Sequence, residues 1–323
     1  MIEQLKRLLL TGASGYIGTK LIDTLKTTSL LDTCQLFAVV KPGRAIPNVT
    51  PIFWDMRESL PEADMPRQID AVIHLATERA RGDDSLDSLT RHIRLSVDAV
   101  ARLYDWSFRH GARKIIHFSS ASVYQTNLEQ TLLSDDTPLV TAPSPPYCLV
   151  KRWSDELACE FRPHVESVHI IRPTQVYGPQ QTEKSMLGGI AKQLQTGKPF
   201  SLASPNGCCI CPVYIDDLLY VVLQLLDLPS HQTVVVAGPD ILTERQVVED
   251  IARLIGIDAV INTDSKEPPE MLAFMANKLN QLMPARPQTP WATGLPLSVQ
   301  GFITTKNKNK NKIKNKNKSM RSS

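Results

Sequence analysis

The sequence predicts an α/β fold: a doubly wound parallel sheet followed by a smaller C-terminal lobe. Three observations lead there. Short, continuous apolar runs rich in branched residues recur through the first 175 residues, which is how strands buried on both faces read. Longer helix-like segments alternate with them, and that alternation implies right-handed crossovers on a parallel sheet. A glycine cluster joins the first apolar run to the first helix-like segment.

In chain order, strands are expected at "RLLLTG" (7–12), "CQLFAVV" (34–40), "DAVIHLA" (70–76), "RKIIHFSS" (113–120) and "SVHIIRP" (167–173). Helices are expected at 16–28, 86–110 and 147–162, the last opening on Pro145 and Pro146, residues suited to a helix entrance. From about 178 the pattern loosens, with Gly, Pro and Cys breaks through 212; regular order returns as a helix over 215–228, the strand "QTVVVAG" and a helix over 243–256. Met271, Met275 and Leu279 recur at helical spacing and predict a packed helix face. These readings divide the chain into a main domain at 1–177, a lobe at 178–303 with elements returning to the main sheet, and a tail at 304–323. The tail is a Lys/Asn repeat with almost nothing to bury, so it is expected to be disordered.

Composition narrows the function. The net charge is +3, from 36 Lys+Arg against 33 Asp+Glu. Eight of those cations lie in the last 18 residues, which hold no acid, so the body carries 28 against 33, or −5. A mildly acidic body gives no nucleic-acid footprint. The N-terminal apolar run is too short for a signal peptide, and no stretch approaches the ~18 apolar residues of a membrane span. The six cysteines (34, 148, 159, 208, 209, 211) show no paired spacing, and "CCIC" at 208–211 lacks a second Cys/His pair at zinc-site spacing. Reduced thiols, no metal and a cytoplasmic location are therefore expected. His74 and His117 fall within strand patterns, as core residues would.

The glycines carry the first functional signal. In "LLLTGASGYIGTKL", Gly12 can make the sharp turn out of a buried strand, Gly15 leaves room for a pyrophosphate against backbone N–H groups, and Gly18 allows close helix–strand packing. The helix that opens there offers unpaired donors and partial positive charge to an anion. Dinucleotide binding follows. An acid at the end of the second strand would hold the ribose hydroxyls of NAD; here that strand runs "FAVVKPGR", with Lys41 in the acid's place and Arg44 just beyond. Both suit a 2′-phosphate, so NADP is the expected cofactor, with NAD as the alternative.

The stretch "SPPYCLVKRW" supplies the second signal. Tyr147 and Lys151 are four apart and share a helix face. A phenol with a pKa near ~10 is a poor base at neutral pH, but a cation one turn away stabilises phenolate.

The glycine spacing G-x-x-G-x-x-G, "VIHLA" at 72–76, "FSSASVY" at 118–124, Tyr147 with Lys151, "IRPTQVYGP" at 171–179 and "VYIDD" at 213–217 occur in order. With these motifs the chain resembles the extended short-chain dehydrogenase/reductase family, the NAD-dependent epimerase/dehydratase group, over residues 7 to about 262. The resemblance implies a Rossmann-type domain and a catalytic set of Ser120, Tyr147 and Lys151. Ser120 donates to the substrate oxygen and Tyr147 moves the proton while hydride passes between substrate carbon and nicotinamide. It implies that Ser14, Tyr16 and Ile17 in the glycine turn, Asp55 and Met56 near the adenine, Leu75, Ala76 and Thr77 along the pocket, Lys151 at the nicotinamide ribose, and Pro173 meet the cofactor. It also implies a homodimer formed through the helices at 86–110 and 147–162. Ser96 aligns, in the helix before "RKIIHFSS", with a position where this family often has Asn.

Departures narrow the reaction. Sugar-nucleotide dehydratases of the family carry Asp-Glu after the catalytic Ser/Thr, where this chain has Ala121 and Ser122. The epimerase–reductases need a Cys/His pair, and Gln180 stands where the His is expected. An Arg that often meets the diphosphate is absent between Gly207 and Pro212, with Lys184 or Lys192 as substitutes. The ending also departs from the Leu-Gly-Trp-like stretch usual in the family, so a lobe that stops early is expected. The expected function is hydride transfer to or from a hydroxyl/carbonyl carbon, by oxidation, reduction or 4-epimerisation, on a small-molecule nucleotide sugar. The alternatives are an NADP-dependent reductase of a non-sugar ketone or aldehyde, and a dinucleotide-binding sensor or scaffold without turnover.

Overall fold

The structure, a computed structural model, describes residues 5–41, 43, 46–47, 49–78, 85–126, 132–263 and 271–302. Arg44 and the 304–323 tail lie outside the described residues.

Seven strands form the main sheet: β1 (Arg7–Thr11), β2 (Gln35–Val40), β3 (Thr50–Phe53), β4 (Ala71–His74), β5 (Lys114–Phe118), β7 (Ser167–Pro173) and β12 (Gln232–Val236). Their order is β12-β7-β5-β4-β1-β2-β3, and every pairing is parallel. β4, β5 and β7 are buried at every position, as continuous apolar runs between two helical layers must be. The direction of winding reverses between β1 and β4. At that switch point the loops after the two strands diverge and leave a crevice.

The helices are α1 (Tyr16–Thr27), α2 (Leu86–Ile93), α3 (Ala99–Arg109), α4 (Pro146–Glu160), α5 (Met186–Gln195), α6 (Ile215–Asp227), α7 (Glu244–Ile255) and α8 (Asn277–Leu282), with a last helical run at 291–302. α2 and α3 are the halves of the single helix expected at 86–110, separated by a π turn at Arg94–Asp98 that contains the buried Ser96. α7 starts on a capping box between Thr243 and Gln246 and ends at Gly256 in the left-handed region, the two terminal devices a helix of this length favours.

Short strands fill the remainder: β6 (Leu133–Ser134), β8 (Val176–Tyr177), β9 (Phe200–Leu202), β10 (Cys209–Ile210), β11 (Val213–Tyr214), β13 (Leu242–Thr243), β14 (Ile261–Thr263), β15 (Met271–Leu272) and β16 (Phe274–Met275). They join as one three-stranded and three two-stranded sheets. The helix face expected from Met271, Met275 and Leu279 is not formed. Met271 and Met275 sit on β15 and β16, and only Leu279 is helical; a four-residue recurrence also satisfies the period of a strand. The sequence reading also passed over β3. Its Pro51 removes a ladder donor, and β3 lies at the sheet's edge, where proline is tolerated.

The 271–302 region packs into the main core rather than trailing from it. Trp291, Leu295 and Val299 belong to the same buried cluster as Leu8 and Leu10 of β1. Asp217, the last residue of "VYIDD", accepts from the Thr289 N–H at 2.6 Å and its hydroxyl at 2.9 Å. Asp240 accepts from the Trp291 N–H and Asp250 from its indole N–H.

Candidate active site

The glycine turn fixes one end of the site. Gly12 has φ +70°, and a Cβ there would lie 2.8 Å from the Ala76 nitrogen, so both backbone angle and space demand glycine. A Cβ on Gly18 would lie 2.4 Å from the Gly12 carbonyl oxygen. With Gly15 as its N-cap and no acid in its first turn, α1 presents free donors to the crevice. Thr11 braces the opposite wall by accepting from the Ala76 N–H at 3.2 Å.

A cleft of about 970 Å³ runs along this crevice. Gly12, Ser14, Gly15, Tyr16, Ile17, Gly18, Lys41, Asp55, Met56, Leu75, Ala76, Thr77, Ser120, Tyr147, Lys151 and Pro173 all line it. The structure thus places along one cleft all the residues expected to meet cofactor or reacting group that it describes. The sequence reading missed Trp54, Arg57, Lys20, Leu95 and Thr174, which line the same cleft. Arg57 lies in the quoted "FWDMRE" and a charge pattern could have found it. Its guanidinium grips Asp55 at 3.0 and 2.6 Å and holds that carboxyl down to about 2, so this stretch of the cleft carries an anion with its cation attached. Of the two substitutes for the missing Arg, Lys184 lines the cleft. Lys192 instead pairs with Glu183 on the surface at 2.5 Å. Gln180 accepts from Lys20 at 3.0 Å.

Ser120 follows β5 and caps a short 3₁₀ turn, accepting from the Ser122 N–H at 3.2 Å and its hydroxyl at 2.9 Å. Tyr147 lies in the first turn of α4. Burial pushes its phenol up, and a hydrogen bond with Ser120 works in the opposite direction. Lys151, 2% exposed, donates to the Phe118 carbonyl at 2.7 Å. Burial pushes its ammonium down to about 8, with Asp155 opposing. Desolvation dominates the phenol, and the lysine's short hydrogen bond is to backbone.

A second pocket of about 260 Å³ opens beside Ser120 and shares Pro173 and Thr174 with the cleft. Ala121, Ser122 and Gln175 line it together with the apolar Leu133, Leu272 and Phe274. The Gln175 Oε1 is buried without a partner. Among the described lining residues none is ionisable.

Sheet order, switch-point cleft and glycine turn define a Rossmann-type fold of the extended short-chain dehydrogenase/reductase class. The NAD-dependent epimerase/dehydratase family matches residues 8–238, and the chain belongs to it. A dTDP-glucose 4,6-dehydratase of Streptomyces antibioticus is 29% identical over 186 residues, 54% of each chain, so that match spans about half the relative's length. An uncharacterized UDP-glucose epimerase of Bacillus subtilis is 24% identical over 309 residues, 90% of this chain and 95% of that one. Among solved structures, the UDP-glucuronic acid 4-epimerase of Bacillus cereus in complex with UDP-glucuronic acid and NAD superimposes with a TM-score of 0.79. It is 20% identical and covers 93% of this chain and 99% of that one, a likeness of fold. Among the described residues, no helix is long and apolar enough to cross a membrane.

Proposed function

We propose that this chain transfers hydride between a nicotinamide dinucleotide and a hydroxyl/carbonyl carbon of a nucleotide sugar. One observation carries the reading: a single cleft runs from the glycine turn at Gly12–Gly18 to Ser120, Tyr147 and Lys151. The residues present fit the dinucleotide. Gly12 and Gly18 leave the space a Cβ would fill, and the N-terminus of α1 supplies donors for the pyrophosphate. Lys41 at the end of β2 supports NADP, while the NAD named with the structural relatives supports NAD as the alternative.

When bound, the nicotinamide supplies or accepts hydride; the chain's residues handle the proton and the geometry. The Tyr147 phenol moves a proton to or from the substrate oxygen. Ser120, which lines the same cleft as Tyr147, donates to that oxygen as charge develops. Lys151 orients the ribose and biases the phenol toward its ionised form. The side pocket beside Ser120 receives the reacting end of the substrate, with the free Gln175 oxygen accepting from one of its hydroxyls. Ala121 and Ser122 in that pocket supply no acid/base pair for eliminating water, which favours oxidation, reduction or 4-epimerisation.

We assign a substrate lobe to 178–303, with elements returning to the main sheet. None of the described cysteines is in a disulfide, which supports a cytoplasmic location. Leu86 at 81% exposure and Trp153 at 37%, on α2 and α4, support a homodimer through these helices. The second reading, reduction of a non-sugar ketone, is favoured by the absence of Arg between Gly207 and Pro212.

The test is Tyr147→Phe. It removes the proton-transfer group alone, so interconversion of UDP-glucose and UDP-galactose, followed by proton NMR, should fall at least about a hundredfold. Dinucleotide affinity should stay within a few-fold. Intact turnover in the variant would sink the mechanism.

A further inference from the structure

Beneath Tyr147 and Lys151 lies a buried polar network that the proposed chemistry does not use. Tyr147, Lys151 and Asp155 are successive i, i+4 positions on one face of α4. Asp155 is 2% exposed, and two strands hold it. Arg172 of β7 donates from Nε to Oδ2 at 3.0 Å, and His117 Nε2 of β5 lies 3.4 Å from Oδ1. The network continues outward. Arg172 donates to the Tyr124 hydroxyl at 2.8 Å, and the Tyr104 hydroxyl lies 2.7 Å from His117 Nδ1. His117 also stacks on His74 of β4, whose Nδ1 lies 2.8 Å from the Thr11 hydroxyl behind the glycine turn.

The charges in this network do not balance. Burial pushes both His74 and His117 below their ordinary values, so they are neutral at pH 7. That leaves two buried cations near one carboxylate, Arg172 in contact with it and Lys151 one turn away on α4. A buried ion without compensation costs several kcal/mol, so a network of this kind makes one group answer for two.

We infer that Asp155 is a positioning residue. It ties the catalytic face of α4 to β5 and β7, and it keeps the Lys151 ammonium charged where burial disfavours the charge. The inference rests on the assignment of Tyr147 and Lys151 to proton transfer. Its electrostatic half also stands apart from turnover.

The signs follow from the groups that face the pair: His74 from β4, His117 from β5, Arg172 from β7, and Tyr124 and Tyr104 from the flanking segments. The Asp155 charge favours the protonated form of both Tyr147 and Lys151. Removing it lowers the proton affinity of each, so both limbs of the pH–rate profile move to lower pH, by about one unit. Removing Arg172 leaves the carboxylate without its closest cation and moves both limbs the other way. A merely structural role would lower the height of the profile and leave its limbs in place.

The experiment measures kcat/KM against pH for the full chain, Asp155→Asn, Asp155→Glu and Arg172→Gln. In parallel, urea unfolding at pH 7 compares Asp155→Asn with and without Lys151→Met. The expected results are an acidward shift for Asp155→Asn, an alkaline shift for Arg172→Gln and restoration by Asp155→Glu. The unfolding equilibrium should respond to Asp155→Asn at least about tenfold more when Lys151 is present. Unmoved limbs, or equal unfolding losses in both backgrounds, overturn the inference. If the wild-type chain turns nothing over, the catalytic reading fails, and the unfolding cycle alone decides whether Asp155 compensates Lys151.

Discussion

The main sheet and the small sheets of residues 200–302 are held in place by different physics. β4, β5 and β7 are buried from end to end, and their neighbours are fixed by parallel ladders of four or five registered pairs. The small strands run two or three residues, too short for a ladder to set their register. There the chain is tied by single carboxylates: Asp217 to Thr289, Asp240 and Asp250 to Trp291, Asp135 to the Lys278 N–H. A sheet of long apolar runs places its loops by periodicity. A lobe of short strands depends on individual polar anchors.

That contrast is broken most directly at Trp291. Its side chain is buried, its ring lies 4.9 Å from that of Tyr177, and both of its N–H groups are committed. Trp291→Ala should cost about 3–5 kcal/mol, read as a lower urea midpoint. Trp291 belongs to the cluster that includes β1, so one cooperative transition is expected. Two separate transitions would show that the anchored segment and the main sheet unfold independently, and would undo the account of a shared core.

The same difference governs what could be read from the residues alone. The buried strands announce themselves, because "AVIH", "KIIHF" and "SVHIIRP" leave no polar face. The glycine turn is legible because steric demand at Gly12 and Gly18 leaves one residue type. The Tyr147–Lys151 spacing places both on the α4 face toward the cleft. Asp217 and Asp250 gave no such signal. A carboxylate that accepts from an N–H more than 40 residues away has no local pattern, and the partners of Asp155 come from strands on either side of it in sequence. Met271 and Met275 misled for a related reason: four-residue spacing fits two periods, and short strands offer too few residues to choose between them.

On the main-sheet side, the sharpest test of steric placement is Gly18→Ala. In an exposed helix this change would stabilise by roughly 1 kcal/mol. Here the new methyl would meet backbone, the Gly12 carbonyl oxygen at 2.4 Å and the Ala13 Cα at 2.8 Å. Because those atoms belong to the turn itself, α1 must move off β1. A loss of about 1–3 kcal/mol in unfolding free energy is expected, with dinucleotide binding weakened about tenfold. Unchanged stability would mean that the turn is looser than its packing implies.

The smallest expected effect tests the proposal that charge at Lys41 selects the cofactor. Lys41 follows β2 directly and lines the same cleft as the Asp55–Arg57 pair. That pair satisfies itself: the guanidinium holds Asp55 ionised down to about 2, so the acid offers a ribose little beyond what Arg57 already takes. A 2′-phosphate placed there would meet the Lys41 ammonium in an exposed setting, where one ion pair contributes about 1 kcal/mol. Lys41→Gln should therefore weaken NADPH about fivefold and leave NADH within twofold, measured by fluorescence titration at low salt. Raising ionic strength to 0.15 M, where the Debye length is about 8 Å, should narrow the wild-type preference and not the variant's. A wild-type chain that binds NADH as tightly as NADPH would remove Lys41 from the site's selectivity and turn the reading toward an NAD enzyme.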